Sequence, residues 1–478
     1  MNDMKHTITS QLAVLLLFAA GTVGCSEEDA LPGGNTPDSD RCPMTVSVSD
    51  GGYTAIHPSA PGTRAAEDSY TTRFTAGDKI GLYAVKDGAI VASNVCLTAA
   101  DNGSGGIAWT GNVYYEGAGT KYYAYYPWQS TLSGSPNASA TDASGFFANV
   151  ISQWIPATDQ GTYAKYTAQD LMTGSSTSGS KQPDGTYSLS FTLTHAMALV
   201  VIETPTTKYK LTDASGNSLP DYDIPAPDTR FYGFTPCSLA DTYRYLVKPS
   251  QSGAGDLMGS YTATTGGTTA TKEYAVTQNG LTAAGYALYK VDGGITEIPH
   301  TLQAGDFYYS DGGIVSGETD TPPSEGCIGV VYCVDNSFIT NNSTKKSEGG
   351  FIHGLVVALK DASTSSDWYN AGSAASNYGN TVAAPSGSSG WYLPNDDELK
   401  YICRGSNYGS QSTIGMADLN NQFNKLSSGN ADSFGSERYW SSTVHNSSDD
   451  AYLVFFINGS DGWVGKYYDY RVRSSLAF

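Results

Sequence analysis

The chain has 478 residues, which is too long for one ordinary hydrophobic core and suits about three domains of roughly 150 residues each. Its 26 Lys and Arg residues against 46 Asp and Glu give a formal net charge of −20, which repels phosphate backbones and disfavours nucleic acid as a partner. Only 15% of the residues are charged, whereas Gly occurs 54 times and Tyr 34 times. Strong helix formers are scarce beside Thr, Tyr, Val and Gly, so the composition predicts a mainly β protein of many short strands.

The N-terminus has the pattern of an export signal. Lys5 precedes an apolar run over residues 12–20, which is too short to cross a bilayer but suits a secretory signal. The run ends in Thr22-Val23-Gly24-Cys25, which resembles the bacterial lipobox. The resemblance implies a lipoprotein signal peptide over residues 1–24 and acyl chains such as palmitate on Cys25, which would hold the protein on the outer membrane. The alternative is an ordinary signal peptide with an incidental cysteine.

Residues 25–43 are expected to form the lipidated N-terminus and a flexible linker. The stretch Ser-Glu-Glu-Asp at 26–29 resembles the acidic signal that sends Bacteroidetes lipoproteins to the cell surface. The residues that follow are polar and rich in Pro and Gly, as flexible spacers are. No later segment reaches 18 consecutive apolar residues, so we predict a surface-exposed protein that is anchored at its N-terminus.

The cysteines after Cys25 are few for a disulfide scaffold. Cys327 and Cys333 stand in one apolar stretch, and in an extended strand their Cα atoms would lie roughly 20 Å apart, beyond disulfide reach. They share strand parity with Gly329 and Val331, so we expect buried, inert thiols. No Cys or His spacing typical of a metal site occurs in the sequence.

The clearest strand pattern runs over residues 189–202. One face takes the apolar residues Leu189, Phe191, Leu193, Met197, Leu199 and Val201, and the other takes Ser190, Thr192 and Thr194. His195 falls on the apolar side. We therefore expect a hydrogen-bonded core histidine there rather than a catalytic one.

Four motifs follow one another in the first half of the chain: Phe74-x-x-Gly77-Asp78-x-Ile80-Gly81, then 122–128, then Asp170-Leu171-Met172, then 189–198. This succession resembles the N-terminal domain of the fimbrillin-like (Mfa-like) lipoproteins of Bacteroidetes, over residues 44–205. The resemblance implies a β-sandwich in that region. It also implies a second β-sandwich over residues 206–302, where short strands such as 243–247 are predicted.

The last third has its own ordered motifs, at residues 305–313, 328–331, 353–361, 390–394, 439–443 and 471–478. They resemble the Lcl-type domain of bacterial surface proteins, whose fold is related to C-type lectins. The resemblance implies an α+β, C-type-lectin-like domain over residues 303–478. Within it, Asn395 and Glu398 predict a helix that begins with a capping box. An apolar stripe predicts a second helix and comprises Met416, Leu419, Phe423 and Leu426.

Two polar patterns resemble cation sites but have structural explanations that we favour. Asp396, Asp397 and Glu398 occupy a first helical turn, where acidic side chains face exposed N–H groups. The triplet Gln182 to Asp184 matches the one by which some C-type lectins hold calcium and galactose. It lies outside the lectin-like region and just before Gly185, so we predict a turn.

Oxygen-bearing side chains also cluster in the last forty residues or so. Asp449, Asp450, Asn446 and Asn458 lie near a predicted loop face, so calcium is the one cofactor considered, with ordinary polar loops as the alternative. Catalytic signatures such as GxSxG, HExxH, a P-loop or a dinucleotide fingerprint are missing from the sequence. We therefore predict a binding protein and not an enzyme. An enzyme on a lectin-like fold is the least favoured alternative.

Aromatic residues crowd the same region, namely Trp440, Trp463, Tyr467, Tyr468 and Tyr470. Amphipathic rings at loop tips make good platforms for sugars or partner proteins. We expect Trp440 to be buried in the core. For Trp463, burial in the core and contact with a ligand are equally compatible with the sequence. Trp463, Asp449 and Asp450 are the candidate ligand-binding residues.

Arg64 carries a second functional expectation. The family resemblance implies that a trypsin-like protease cuts after an arginine in the first loop, frees the lipidated end and removes the first strand, which a strand of the next subunit replaces. Arg64 lies where that cut would fall, and Arg73 is the second choice. A leading strand paired on both flanks, with no accessible arginine beside it, would argue against such replacement.

The first hypothesis is a fimbrial tip or accessory adhesin that joins other subunits by strand addition and binds a glycan or surface protein through its C-terminal domain. The last residues, 474–478, are expected to belong to that domain, so the chain accepts a donor strand without offering one. The alternative is a non-polymerising, membrane-anchored surface binding protein. In that case the loop around Arg64 would resist trypsin-like proteases.

Overall fold

The computed structural model describes residues 42–56, 70–103, 106–177, 179, 181–239, 241–249, 255–265, 268–278, 280–346, 350–409, 412–445 and 449–478. The protein is mainly β, with 43% of residues in strands and 15% in helices, as its composition predicts. Within these residues, no helix combines the length and apolar character needed to cross a membrane.

The strands in chain order are β1 Met44–Asp50, β2 Thr54–Ala55, β3 Lys79–Lys86, β4 Ala89–Asp101, β5 Ile107–Thr110, β6 Lys121–Tyr126, β7 Met172–Thr177, β8 Tyr187–His195, β9 Ala198–Glu203, β10 Thr206–Thr212, β11 Tyr222–Pro225, β12 Arg230–Tyr232, β13 Cys237–Leu239, β14 Thr242–Val247, β15 Leu257–Thr265, β16 Thr268–Val276, β17 Gly285–Lys290, β18 Ile295–Thr301, β19 Phe307–Tyr309, β20 Ile314–Val315, β21 Cys327–Cys333, β22 Leu355–Ser366, β23 Arg438–Val444, β24 Asp450–Phe455, β25 Ser460–Gly465 and β26 Tyr470–Ala477.

The α-helices are α1 Ala143–Phe146, α2 Ala148–Gln153, α3 Tyr163–Thr167, α4 Asn336–Asn342, α5 Trp368–Asn377, α6 Asp396–Arg404 and α7 Met416–Phe423. The chain forms two compact units. The first comprises residues up to Val201 with Tyr232–Leu257 and Val276–Leu288, and the second comprises Ile202–Phe231, Met258–Ala275 and Tyr289–Phe478. The domain boundaries predicted after residues 205 and 302 stay predictions.

The first unit contains a closed barrel in the strand order β1-β5-β4-β3-β6-β7-β8. β1 runs parallel to β8 along all seven of its residues. Its other flank meets β5 at one residue pair, Val46 beside Trp109. Strand alternation turns Met44 and Val46 into the barrel core, while Ser47 and Ser49 face outward. The leading strand is therefore paired on both flanks, mainly by β8.

The predicted strand over residues 189–202 is two strands. It breaks at Ala196 and Met197, where the backbone N–H of Ala196 donates to the carbonyl of Leu171 at 2.7 Å. β8 ends in the barrel, whereas β9 joins a sheet in the order β13-β14-β9-β17-β2. Leu193 accordingly lies in the barrel core and Leu199 in a second core cluster. A strand pattern records which side chains are buried but does not record which sheet buries them.

The second unit contains two three-stranded sheets, β11-β10-β18 and β12-β15-β16, and one of eight strands, β20-β19-β21-β22-β26-β23-β24-β25. β26 lies inside the large sheet, antiparallel to β22 and parallel to β23. α6 and α7 pack against one face of that sheet, because Leu399 and Leu419 share a core cluster with Val454. α5 packs on the opposite face, where Ala371 meets Leu453.

α6 begins with the predicted capping box. The Asn395 side chain accepts from the backbone N–H of Glu398, and the Glu398 carboxylate accepts from the N–H of Asn395, each at 2.8 Å. Glu398 is fully buried and also accepts from Tyr392 at 3.0 Å and from the backbone N–H of Thr344 at 3.1 Å. The second predicted helix is α7, and Leu426 beyond its end is buried in the same core.

Cys327 and Cys333 occupy opposite ends of β21 and are free thiols. Cys333 is fully buried and Cys327 partly so. Burial raises the pKa of each thiol to about 12. Both side chains are therefore protonated at neutral pH, which agrees with the predicted inert role.

Candidate functional site

Cys25 and Arg64 lie outside the described residues, as does Asn446 of the candidate calcium set. Lipidation of the first and cleavage after the second stay predictions. The remaining candidates, Asp449, Asp450 and Trp463, lie in the second unit on or beside β24 and β25.

The triplet at 182–184 and Asp396, for which the sequence analysis favoured structural roles over cation binding, have structural contacts. The triplet at 182–184 forms a turn, in which the N–H of Gly185 donates to the carbonyl of Gln182 at 3.0 Å and Asp184 accepts from Thr186. Asp396 accepts from Thr443 at 2.7 Å and from Lys400 at 3.0 Å, so it is engaged within the fold.

His195 is a core histidine in the first unit and lies between two buried carboxylates. Its Nε2 is 2.8 Å from Oδ1 of Asp50, and its Nδ1 is 2.8 Å from Oδ1 of Asp170. The Tyr53 ring stacks on the imidazole at 3.8 Å, and its hydroxyl donates to Asp170 at 2.8 Å. Since Asp50 ends β1 and His195 ends β8, this group, the Asp50–His195–Asp170 clamp, joins the end of the leading strand to the barrel.

In the clamp, the carboxylates favour the protonated imidazole, and the imidazolium favours the ionised form of Asp50. Burial by itself lowers the pKa of His195, but the charge and hydrogen bonds of Asp170 and Asp50 outweigh burial and raise that pKa to about 9. Burial raises the pKa of Asp50, and hydrogen bonding and the charge of His195 bring it below its ordinary value. The imidazole is therefore a cation at neutral pH, held by two carboxylates.

Trp440 and Trp463 have different environments. Trp440 is fully buried, and its indole N–H donates to the carbonyl of Ser366 at 2.8 Å, as expected of a core residue. Trp463 is 55% exposed on β25, the edge strand of the large sheet. The structure thus places Trp463 on the surface, where the sequence left both options open.

Trp463 belongs to a cluster of rings on one face of the sheet. It lies opposite Tyr452 in the β24–β25 ladder. The His445 ring stacks on Trp463 with centroids 4.5 Å apart and planes 22° apart, and it lies 5.6 Å from the Tyr452 ring. Ala451 and Leu453, which alternate with Tyr452, point to the opposite face and are fully buried.

Two further tyrosines extend this cluster beyond the end of β25. A Cβ atom added at Gly465 would lie 2.5 Å from Cε1 of Tyr467, so the Tyr467 ring lies over Gly465. The rings of Tyr467 and Tyr468 are 4.6 Å apart, and the two side chains are 71% and 48% exposed. We call the set His445, Tyr452, Trp463, Tyr467 and Tyr468 the aromatic platform.

Carboxylates surround the platform. Asp450 lies opposite Gly465 in the ladder and shares the face of Tyr452, and its charge contributes to a raised pKa of Tyr467, after the larger effect of Tyr468. Asp461 shares the face of Trp463 and pairs with Lys400 of α6 at 3.1 Å. Asp449 immediately precedes β24.

The described residues contain no group of three or more His, Cys, Asp or Glu side chains arranged to hold a metal ion. Asp449 and Asp450 are adjacent in sequence, and alternation along an extended chain directs neighbouring side chains to opposite sides. Calcium binding by this pair therefore has no geometric support among these residues.

His445 and Tyr452 are the platform residues that sequence reasoning missed. His445 follows the strand motif 439–443, and Tyr452 stands in an apolar stretch, so neither residue was predicted to lie on the surface. The signal available was strand alternation, which places Tyr452 on the face opposite to the buried Leu453. The stacking of His445 on Trp463 depends on how β23, β24 and β25 pair and could not be read from spacing.

These features describe a mainly β protein with an aromatic face open to solvent. Residues 63–224 match the family described as Fimbrillin-like. The chain is 35% identical over 387 residues to the protein named Putative fimbrium tip subunit Fim1C of Bacteroides ovatus, covering 74% of this chain and 68% of that protein. It is also similar to the crystal structure of a fimbrial protein from Bacteroides ovatus, with a TM-score of 0.62 and 28% identity, covering 92% of this chain and all of the other.

The chain therefore belongs to the Mfa-like fimbrillin family and is a homologue of a fimbrium tip subunit. Membership implies a cell-surface location and interaction with other fimbrial components. The family points to a structural role without catalysis.

Proposed function

We propose that the protein is a tip or accessory subunit of a fimbrium, which accepts a strand from a neighbouring subunit and presents the aromatic platform to a ligand. The observation that carries this proposal is the 35% identity over 387 residues with the protein named Putative fimbrium tip subunit Fim1C. The ligand is a glycan or a surface protein, and the lectin-like character of residues 303–478 is part of the proposal.

The acceptor site proposed for the neighbour's strand is the position of β1. Removing β1 would expose the edge of β8 along seven residue pairs and would uncover the core positions of Met44 and Val46. A replacing strand would regain these hydrogen bonds and needs apolar residues at alternate positions to refill the core. Cleavage after Arg64, which lies outside the described residues, is the proposed step that separates β1 covalently from the rest of the chain, and its departure is a second step.

β26 is built into the large sheet and is not a candidate donor strand. Tyr470–Ala477 lies between β22 and β23, and its residues from Val472 onward are buried. Taking this segment out would break the large sheet and expose its core. The segment is therefore not available to pair with a neighbour.

Attachment to the outer membrane is proposed to occur through acyl chains on Cys25. Metabolic labelling of the expressing bacterium with a palmitate analogue tests this step. Label should appear in the wild-type protein and be absent from Cys25→Ser. Equal labelling of both proteins would contradict an anchor at Cys25.

The assembly role is tested with the protein trimmed by a trypsin-like protease and mixed with stalk subunits from the same bacterium. We expect a complex that survives mild denaturant with trimmed wild-type protein and none with Arg64→Ala treated in the same way. The tip role would be contradicted if the trimmed wild-type protein forms no stable complex even after its β1 fragment has been shown to dissociate.

A second candidate function is a membrane-anchored surface binding protein that does not polymerise. The observation that favours it is the pairing of β1 on both flanks, together with the Asp50–His195–Asp170 clamp at the end of that strand. Resistance of the Arg64 loop to protease in the folded protein would support this candidate over the first.

A further inference from the structure

We infer that the aromatic platform binds a neutral glycan, with the apolar face of a pyranose ring stacked on Trp463 and Tyr467 and with hydroxyl groups donating to the neighbouring carboxylates. This inference rests on the proposed role of the second unit in ligand binding, and it specifies the chemical class of the ligand. Three observations support it: the placement of the rings, the charge around them, and the fact that α6 covers the neighbouring part of the same sheet face.

Neighbouring groups support two of the platform rings, Trp463 and Tyr467. Trp463 is backed by the nearly parallel His445 ring at 4.5 Å, so its indole has fewer orientations available than a lone surface side chain. Tyr467 is seated over Gly465, where the absence of a Cβ atom leaves room for its ring. Aromatic side chains that are ordered in advance lose little conformational entropy when they bind, which favours them as contact surfaces.

Among the described residues, the platform is the exposed end of a sheet face whose remaining part is covered. Further along the same face, Val454 is covered by Leu399 and Ile402 of α6. Lys400 of that helix pairs with Asp461, two residues from Trp463, and so fixes the boundary of the covered part. The open area is a short strip of rings bordered by a helix, which suits one or two sugar rings rather than a broad partner.

The charge around the platform selects among sugars. Asp450 and Asp461 share its face, and the whole chain carries a net charge of −20. Carboxylates accept hydrogen bonds from sugar hydroxyls, whereas a sialic acid, uronic acid or sulfate group would be repelled. The expected ligand is therefore an uncharged hexose or N-acetylhexosamine at the end of a glycan.

The same arrangement argues against a protein partner. Cores of protein interfaces are continuous apolar areas depleted of charged residues. Here the rings alternate with carboxylates. The exposed apolar residue Val444 does not extend the platform, because it pairs with Ala451 and therefore lies on the sheet face opposite to Tyr452. No continuous apolar area forms around Trp463 within the described residues.

The test uses the full mature protein on an array of neutral glycans that end in glucose, galactose, mannose or N-acetylglucosamine. The same glycans capped with sialic acid, and glycan-free matrix proteins, are the comparison probes. Trp463→Ala removes the central ring, and Gly465→Ala displaces the Tyr467 ring without deleting it. Tyr369→Ala is the matched control, because Tyr369 is 63% exposed in the same unit but lies on α5, on the other face of the sheet. Circular dichroism confirms that each variant is folded.

We expect at least one uncapped glycan to be bound, with affinity reduced about tenfold or more by Trp463→Ala and unchanged in Tyr369→Ala. Sialic acid capping should weaken binding about fivefold or more at low salt, and Asp450→Asn should narrow that difference. Equal binding by Trp463→Ala, preference for capped glycans, binding of glycan-free proteins through Trp463, or no bound glycan would each contradict the inference. Complex formation with stalk subunits is measured separately, so failure on the array with successful assembly overturns the ligand class alone.

Discussion

His195 shows how one residue can join two parts of a β protein. It ends β8, contacts Asp50 at the end of β1, and contacts Asp170 just before β7. Both acidic side chains are almost fully buried. The buried carboxylates favour the imidazole only while it keeps its proton, so the clamp makes the stability of the barrel depend on pH.

The first prediction concerns this pH dependence. Because the pKa of His195 is raised from 6.5 to about 9 in the folded protein, its contribution is present below pH 6.5 and is lost as the pH rises through 9. Urea unfolding from pH 6 to 10 should show a loss on the order of 2–3 kcal/mol in wild-type protein that is absent from His195→Gln. Parallel curves for the two proteins would contradict a charged clamp. The lowered pKa of Asp50 adds a second loss in acid, below its ordinary pKa of 3.8.

A second residue-scale prediction compares two glycines of the second unit. A Cβ atom at Gly329 in β21 would lie 2.4 Å from Cγ1 of Val356 and 2.5 Å from the carbonyl oxygen of Val357, whereas one at Gly372 in α5 would meet nothing within 4 Å. Gly329→Ala should lower the free energy of unfolding by about 2–3 kcal/mol. Gly372→Ala should raise it by about 0.5–1 kcal/mol, because alanine favours helix. Equal effects in denaturant titrations would show that the sheet relaxes around Gly329.

At the scale of elements, α6 is the best example of local sequence agreeing with tertiary structure. The capping box of Asn395 and Glu398 satisfies the first N–H groups of the helix, and the spacing of the two residues predicts it. The contacts of Glu398 with Tyr392 and Thr344 are tertiary, and they convert a helix cap into a buried junction between three chain segments. These contacts lie beyond what local spacing can predict.

The third prediction separates these two roles. Asn395→Ala removes only a cap and should cost about 1 kcal/mol of unfolding free energy. Glu398→Ala leaves several buried donors without an acceptor and should cost about 3 kcal/mol or more, with Glu398→Gln between the two. Chemical denaturation of the three variants measures the order. A smaller loss for Glu398→Ala than for Asn395→Ala would contradict the junction role.

Strand prediction succeeded where one face of a strand is polar and failed where the chain changes sheets. β1 and β8 alternate between buried apolar residues and exposed Ser or Thr, so their faces follow from spacing alone. β9 is buried along its whole length. Alternation does not reveal that the chain passes from the barrel to the neighbouring sheet at Met197, because the residues from Ala196 to Ile202 are all apolar.

At the scale of the whole molecule, the pairing of β1 bears on any assembly mechanism. The strand is held by seven residue pairs with β8, by one with β5 and by the clamp at its end. Cutting the chain after Arg64 would break no part of this network, because hydrogen bonds, apolar contacts and charge pairs do not depend on the continuity of the chain. Cleavage and strand loss are thus separate steps in the proposed function.

The fourth prediction follows from that separation. After cleavage by a trypsin-like protease, the N-terminal fragment that contains β1 should stay bound to the rest of the protein during gel filtration. It should dissociate in urea, or when an excess of a strand peptide with alternate apolar residues competes for the β8 edge. His195→Gln should release the fragment at a lower urea concentration than wild type does. Immediate loss of the fragment from cleaved wild type in buffer would contradict the structural retention of β1.

Residue spacing and short motifs were enough to predict the mainly β character, the inward and outward faces of single strands, the α6 cap, the buried Trp440 and the fimbrillin family of the N-terminal region. These features depend on residue spacing and on motifs within short segments, where each side chain has few possible environments. The folded structure was needed to reveal the break between β8 and β9, the Asp50–His195–Asp170 clamp, the central position of β26 and the stacking of His445 on Trp463. Each of these joins residues from distant segments, and their contact depends on which strands pair, a property that local patterns in one sequence do not carry.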